Sequence, residues 1–153
     1  EDGYILSVWR LNKKTKAIRQ HNPGQDPVLL MHGMNFDMMQ WVFHNPAVAP
    51  AFVLARAGYD VWLGNNRGSR FSLEHESLDP TERAYWQFSW EELGVYDTPA
   101  IIDYILKQTG AAKINYVGHS EGTTQLLAGA SLKPEFYNSK IKTAVLLAPV
   151  TTF

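Results

Sequence analysis

The sequence predicts an α/β fold, a mostly parallel sheet with helices on both faces, and three observations carry that prediction. The short continuous apolar run at residues 28–31 is that of a strand buried on both faces of a parallel sheet, with another strand read at residues 59–63 and a further buried one at residues 143–147. Segments with helical spacing separate them, which implies right-handed crossovers between parallel strands. Finally, an apolar strand tail, Ile114, Tyr116 and Val117, runs through Gly118-His119-Ser120-Glu121-Gly122 into a helix-compatible stretch, the strand-turn-helix setting in which a serine is held exposed on a tight turn.

Taken in order, residues 4–11 (YILSVWRL) are rich in β-branched and aromatic side chains and predict a strand. The polar Asn12-Lys13-Lys14 that follows predicts a turn, with a short return at residues 17–19. Residues 21–27 (HNPGQDP) form a breaker cluster and predict a surface loop. The strand at residues 28–31 ends in His32-Gly33-Met34, and the region around Trp41, Val42 and Phe43 is too irregular to assign. Residues 48–57 read as a helix with Pro50 in its first turn and Gly58 as its stop. The strand at residues 59–63 is closed by Gly64-Asn65-Asn66-Arg67-Gly68. Residues 69–88 lack a clear period and predict a long connection with one helical turn.

Ser89 and Glu92 form a capping-box pattern at a helix start. Leu93, Tyr96, Ala100, Ile102, Ile105 and Leu106 continue at helical spacing, with Gly94 and Pro99 expected to kink or divide the helix and Gly110 to end it. Residues 113–117 predict the strand that feeds the serine turn, residues 123–132 the helix behind it, and Pro134 its end. Residues 135–140 read as a loop, and residues 143–147 as a further buried strand stopping at Pro149.

The composition narrows the function classes. A chain of 153 residues is the size of one ordinary domain, and 45% hydrophobic with 19% charged residues is a globular composition. A net charge of −1 gives no electrostatic case for nucleic acid or an anionic membrane surface. Without cysteine there is neither a disulfide framework nor a thiolate metal site, and no two histidines have metal-ligand spacing. No apolar run reaches the length of a transmembrane helix, and no N-x-S/T sequon is present. The first residue is Glu1, which reads as processing or a fragment, so missing targeting signals carry no weight.

The G-x-S-x-G spacing alone arises by chance in roughly one chain in twenty of this length, so its context decides. Ser120 is the candidate nucleophile, with Gly118 and Gly122 required because side chains there would press on the neighbouring strand and helix. A serine hydroxyl needs a histidine to take its proton, a carboxylate to orient that histidine, and two backbone N–H donors for the tetrahedral oxyanion. One donor comes from the residue after the nucleophile and one from the loop after an earlier strand, which points to Glu121 and Met34. Ligands in such sheets bind beyond the carboxyl ends of the strands, so His32-Gly33-Met34 and Ser120 are expected to meet there. His32 and His119 are near this point, but loop support for His32 and packing under a lid for His119 are the preferred readings over a base. His21, His44 and His75 are expected on the surface or in loops, Asn66-Arg67 in a structural loop with an ion pair, and Trp41, Trp62, Trp86 and Trp90 mainly in the core.

Several stretches together closely resemble the acid lipase family of the α/β-hydrolase fold, which includes gastric lipases, lysosomal acid lipases and steryl ester hydrolases. They are EDGYIL (1–6), HGM (32–34), AGYDVWLGNNRG (57–68), YDTPAIIDYIL (96–106), TG (109–110), YVGHSEGTT (116–124) and LAPV (147–150). The resemblance covers essentially the whole chain. It implies an α/β-hydrolase core and a serine esterase that cleaves long-chain acyl esters such as triacylglycerols or steryl esters at a lipid–water interface. Ser120 matches the nucleophile, and Met34 and Glu121 match the oxyanion-hole positions. No metal or organic cofactor is implied, and a secreted, lysosomal or endomembrane setting is favoured.

Two departures matter. The family usually has glutamine after the nucleophile, where this sequence has Glu121, with a modest effect expected because only the N–H must point inward. The family also places its lid, triad aspartate and triad histidine beyond the position matching Phe153. The expectation is therefore that residues 1–153 are the amino-terminal part of one α/β-hydrolase domain, with the lid and last strands missing, active only with residues beyond this chain. The competing reading is a truncated or degenerate domain serving as a structural subunit, its exposed sheet edge covered by a protein partner or by the rest of its own chain.

Overall fold

The computed structural model describes residues 2–11 and 25–151; the turn and return predicted at residues 12–19, and His21, lie outside the described residues. In chain order the elements are β1 (Tyr4–Ile5), β2 (Val8–Arg10), β3 (Pro27–Met31), a 3-10 turn at Met38–Trp41, α1 (Pro50–Arg56), β4 (Asp60–Gly64) and β5 (Glu74–His75). There follow a 3-10 turn at Arg83–Trp86, α2 (Trp90–Glu92), a π-helical turn at Leu93–Asp97, α3 (Thr98–Thr109), β6 (Ile114–His119), α4 (Glu121–Leu132), α5 (Pro134–Lys140) and β7 (Ile141–Leu147).

The main sheet has the order β2-β4-β3-β6-β7, with β2 antiparallel to β4 and every other neighbour pair parallel. β3 explains how the sheet is buried. Its alternate residues Leu29 and Met31 join Ile101, Ile102, Ile105, Tyr116 and Leu126 from the α3 and α4 side. Val28 and Leu30 face Trp41, Ala51, Val61 and Leu63 on the α1 side. Helices therefore cover both faces of the central strands, which is why the run at residues 28–31 is apolar without alternation.

The opening segment, read as one strand, folds as two. β1 pairs with β5 in a separate ribbon while β2 joins the main sheet, and the chain changes partner at Ser7, whose N–H donates to Ser72 Oγ at 2.9 Å. The long connection after β4 contains the expected helical turn, at Arg83–Trp86, and the β5 strand as well. The capping box forms: Ser89 N–H donates to Glu92 Oε2 at 2.7 Å, and Ser89 Oγ accepts from the helix backbone.

Gly94 and Pro99 divide the following helix through a π-helical turn rather than a sharp kink. A side chain at Gly94 would come within 2.5 Å of Gln125 O, so its absence lets this turn lie directly on α4. Pro99 has no N–H to offer the preceding turn, and Lys133 Nζ donates to Val95 O there at 2.7 Å instead. Gly110 closes α3 at φ 73°, the left-handed geometry that favours glycine.

Two expectations need correction. Residues 135–140 are not a loop: Pro134 opens α5 as its first-turn proline instead of only ending the helix before it. The strand expected at residues 143–147 is present within β7 but is not buried, with Val145 45% and Leu147 41% exposed. Its apolar residues signalled a two-sided strand, whereas among the described residues β7 has β6 on one side only and forms the sheet edge.

Candidate functional site

β6 carries the chain straight into a reversal at Ser120, which adopts φ 51° and ψ −116°. A non-glycine residue in that region stores strain, and the surrounding backbone holds it there. Ser120 N–H donates to Leu147 O at 3.0 Å, and Ser120 O accepts from Thr123 Oγ1 at 2.6 Å. The close approaches account for both glycines. A Cβ at Gly118 would lie 2.5 Å from Gly122 O, and one at Gly122 would lie 2.7 Å from Met31 O and 2.9 Å from His32 O. Both contacts are with backbone, which cannot step aside.

The His32-Gly33-Met34 turn meets this reversal as expected from the strand ends: a Cβ added to Gly33 would lie 3.2 Å from Ser120 Cβ. The loop is fixed by side chains on both flanks. Gly33 N–H donates to Gln40 Oε1 at 3.0 Å, Met38 N–H to Asn65 Oδ1 at 2.9 Å, and Phe36 N–H to Gly33 O at 3.2 Å. The Met34 N–H, by contrast, has no acceptor among the described residues. Glu121 opens α4, so its N–H also lacks an intrahelical acceptor. Two unpaired donors thus belong to this corner of the fold, one on the residue directly after the strained serine and one in the loop that meets it.

His32 is buried, and both of its ring nitrogens are engaged. Nε2 faces Asn66 N–H at 3.1 Å and must accept, which leaves the proton on Nδ1 to donate to Gly33 O at 2.8 Å. Burial holds its pKa below the usual 6.5, so the neutral ring is a brace for the loop, in line with its preferred reading. The His119 ring lies against Gly33, with Nδ1 buried and unpaired among the described residues. His44 is exposed and close to Phe43, whereas His75, expected on the surface or in a loop, lies half-buried in β5. Among the described residues no histidine hydrogen-bonds the Ser120 hydroxyl. Trp41 and Trp62 belong to the core, but Trp86 and Trp90 are 45% and 42% exposed. Trp86 lines a cleft of about 380 Å³ together with His32, Met34, Asn66, Phe88 and Glu121.

Beneath this surface the Asn66-Arg67 loop is anchored by a polar network that sequence reasoning found only in part. Asn66 Nδ2 donates to Gln125 Oε1 at 2.8 Å, and Gln125 Nε2 to Thr98 Oγ1 at 2.9 Å. Arg67 donates to Asp97 through Nε at 2.7 Å and through its own backbone N–H at 2.9 Å, and pairs with Asp2 at 2.6 Å. Its guanidinium lies 4.0 Å from the centre of the Tyr4 ring. The ion pair fits the structural-loop reading of Asn66-Arg67. Asp97, Thr98 and Gln125 escaped notice, although polar residues among buried helical positions were a usable signal.

Burial pushes the Asp97 carboxyl up to about 6, against the pull of Arg67 toward the charged form. A folded value above the unfolded 3.8 means this contribution to stability is fully present below 3.8 and is lost as pH rises through 6. The stability advantage of the native protein over Asp97→Asn is therefore expected to shrink between pH 4 and 7. Urea unfolding of both proteins across that range measures it, and an advantage that grows would contradict the assignment.

Comparison with known proteins agrees with this geometry. Residues 26–153 match the family described as alpha/beta hydrolase fold, and residues 1–45 match the partial alpha/beta-hydrolase lipase region. The chain is 45% identical to Lipase 1 of Drosophila melanogaster over 97% of its own length and 32% of that protein. It is 44% identical to the gastric triacylglycerol lipase of Homo sapiens, covering 99% of this chain and 38% of that protein. The chain thus spans about a third of the length of these relatives. Among solved structures it is similar to the mature lipase BlEst2 of Bacillus licheniformis, with TM-score 0.59 and 16% identity over 92% of this chain and 45% of that one. Epoxide hydrolase A of Mycobacterium thermoresistibile gives TM-score 0.59 and 21% identity over 95% of this chain and 36% of that one. With its mostly parallel sheet, its strand-turn-helix reversal at Ser120 and its matching sequence, the chain belongs to the α/β-hydrolase fold family.

Proposed function

We propose that residues 1–153 are the amino-terminal part of a single α/β-hydrolase domain whose whole protein is a lipase-like serine ester hydrolase. Its substrates are long-chain acyl esters such as triacylglycerols or steryl esters. The observation that carries this reading is the strained Ser120 flanked by the unpaired N–H groups of Met34 and Glu121. Ser120 Oγ, its proton taken by the base, attacks the ester carbonyl, and the oxyanion of the tetrahedral intermediate is received by the two N–H groups; collapse expels the alcohol, which takes up that proton, and leaves an acyl-enzyme that water hydrolyses. The lipase names of the relatives support the substrate class. No described histidine hydrogen-bonds Ser120, which supports the reading that the base and its carboxylate are supplied by further residues of the whole protein and that the isolated chain is expected to be inactive. The exposed β7 edge is where further strands of the same protein would add. That edge also suits the alternative of an interaction subunit, but a degenerate domain has no need to keep the strained serine and its free donors.

The test is covalent. A fluorophosphonate applied to the full-length protein is expected to add its phosphonyl group to the peptide containing Ser120, located by mass spectrometry. A folded protein that takes no label at Ser120 rules the reading out.

The oxyanion assignment has its own check. Met34→Pro removes the N–H and is expected to lower kcat about 10²–10³-fold, whereas Met34→Ala keeps the N–H and costs far less. Equal losses in the two variants would mean that the Met34 side chain, rather than its amide, matters.

A further inference from the structure

We propose that the Glu121 carboxyl group sets the alkaline limit of the reaction: neutral, it permits the oxyanion to form, and ionised, it opposes that charge. The inference rests on the reading of Ser120 as nucleophile and extends it from the main chain of Glu121 to its side chain.

The placement is the argument. The carboxyl group is tethered by a short methylene stem to the same Cα whose N–H faces the oxyanion position. It lines the cleft shared with His32, Met34 and Asn66, is half-buried, and accepts no hydrogen bond from any described residue. The contrast with Glu92 is instructive, since that carboxylate is held by Ser89 N–H at 2.7 Å and Ser89 Oγ at 2.9 Å.

No described cation forms an ion pair with Glu121, although Arg70 lines the same cleft. From the loop after β4, Arg67 is committed to Asp97 and Asp2, and Arg70 lies 5.4 Å from the centre of the Phe71 ring. From the loop after β3, His32 is braced in its neutral form, and Asp37 adds a charge of the same sign. His119, at the end of β6, makes no hydrogen bond to Glu121. The start of α4 favours a negative charge, yet burial still raises the Glu121 carboxyl above its usual 4.5. The group therefore stays neutral to higher pH than an exposed glutamate does. Ionisation places a negative charge beside the one the reaction must build.

The experiment compares full-length wild type, Glu121→Gln and Glu121→Asp by their second-order rates of fluorophosphonate labelling between pH 4 and 7.5. Dividing the Gln rate by the wild-type rate at each pH cancels the titration of the base histidine. That ratio is expected to rise about tenfold from the lower to the upper pH, while the Asp variant keeps the wild-type decline. If thermal melting shows Glu121→Gln unfolded, Glu121→Ala takes its place with the same expectation. A ratio independent of pH overturns the proposal and leaves Ser120 as nucleophile. A wild-type protein that takes no label overturns both.

Discussion

Ser120→Ala in the full-length protein is expected to lower ester turnover by roughly 10⁶-fold, the scale seen when the nucleophile of a serine hydrolase is removed. The loss is kinetic and not structural. Alanine retains the Cβ that makes φ 51° costly, and Ser120 is held by main-chain bonds to Leu147 and Thr123 that do not involve its hydroxyl. Thermal melting should therefore match wild type. Ser120→Gly separates the two properties further, because glycine tolerates positive φ: it should be equally inactive and more stable by about 1–3 kcal/mol, the usual cost of such strain. Turnover of an emulsified triacylglycerol, followed by fatty acid release, measures the first effect and denaturant unfolding the second. Retention of a hundredth of wild-type turnover by the folded alanine variant would show that another group attacks the ester.

The parts of this site that could be read from sequence are those defined by local geometry. Gly118 is demanded by a backbone contact within its own turn, and Gly122 by the backbone of Met31 and His32 on the neighbouring strand, but both fall at the fixed spacing around Ser120 that a strand-turn-helix reversal imposes. The strand at residues 28–31 was legible because burial on both faces leaves a continuous apolar run. The failures have a common physical origin in partners distant in sequence. The chain at residues 4–11 divides because its halves pair with β5 and β4, a choice that no local propensity encodes. β7 has the composition of an interior strand yet lies at an edge, because burial depends on which neighbours are present. Gln125 looked like an ordinary helix residue, and only the tertiary fold shows its side chain bridging Asn66 and Thr98.

Arg67→Ala carries the largest expected loss of stability, about 3–5 kcal/mol, because it leaves a buried acid without its cation. Asp97 is only 1% exposed and receives two side-chain nitrogens from Arg67, at 2.7 and 2.6 Å. The backbone N–H of residue 67 would remain but cannot balance a full charge. With the guanidinium gone, the Asp97 carboxyl moves further above 6, so the variant is expected to lose more stability at pH 8 than at pH 5. Urea unfolding at the two pH values tests both the size and the sign. The double variant Arg67→Met with Asp97→Asn removes the charges together and should be less destabilised than Arg67→Ala, as is common when a buried pair is replaced whole. The effect should also reach the reaction. Arg67 fixes the loop in which Asn66 N–H holds His32, and His32 in turn holds Gly33 beside the Met34 amide. Loosening the ion pair therefore loosens an oxyanion donor, and turnover should fall even under conditions where Arg67→Ala remains folded. A folded variant with wild-type turnover and a loss below about 1 kcal/mol, the range of exposed pairs, would mean that this ion pair neither holds the loop nor steadies the site.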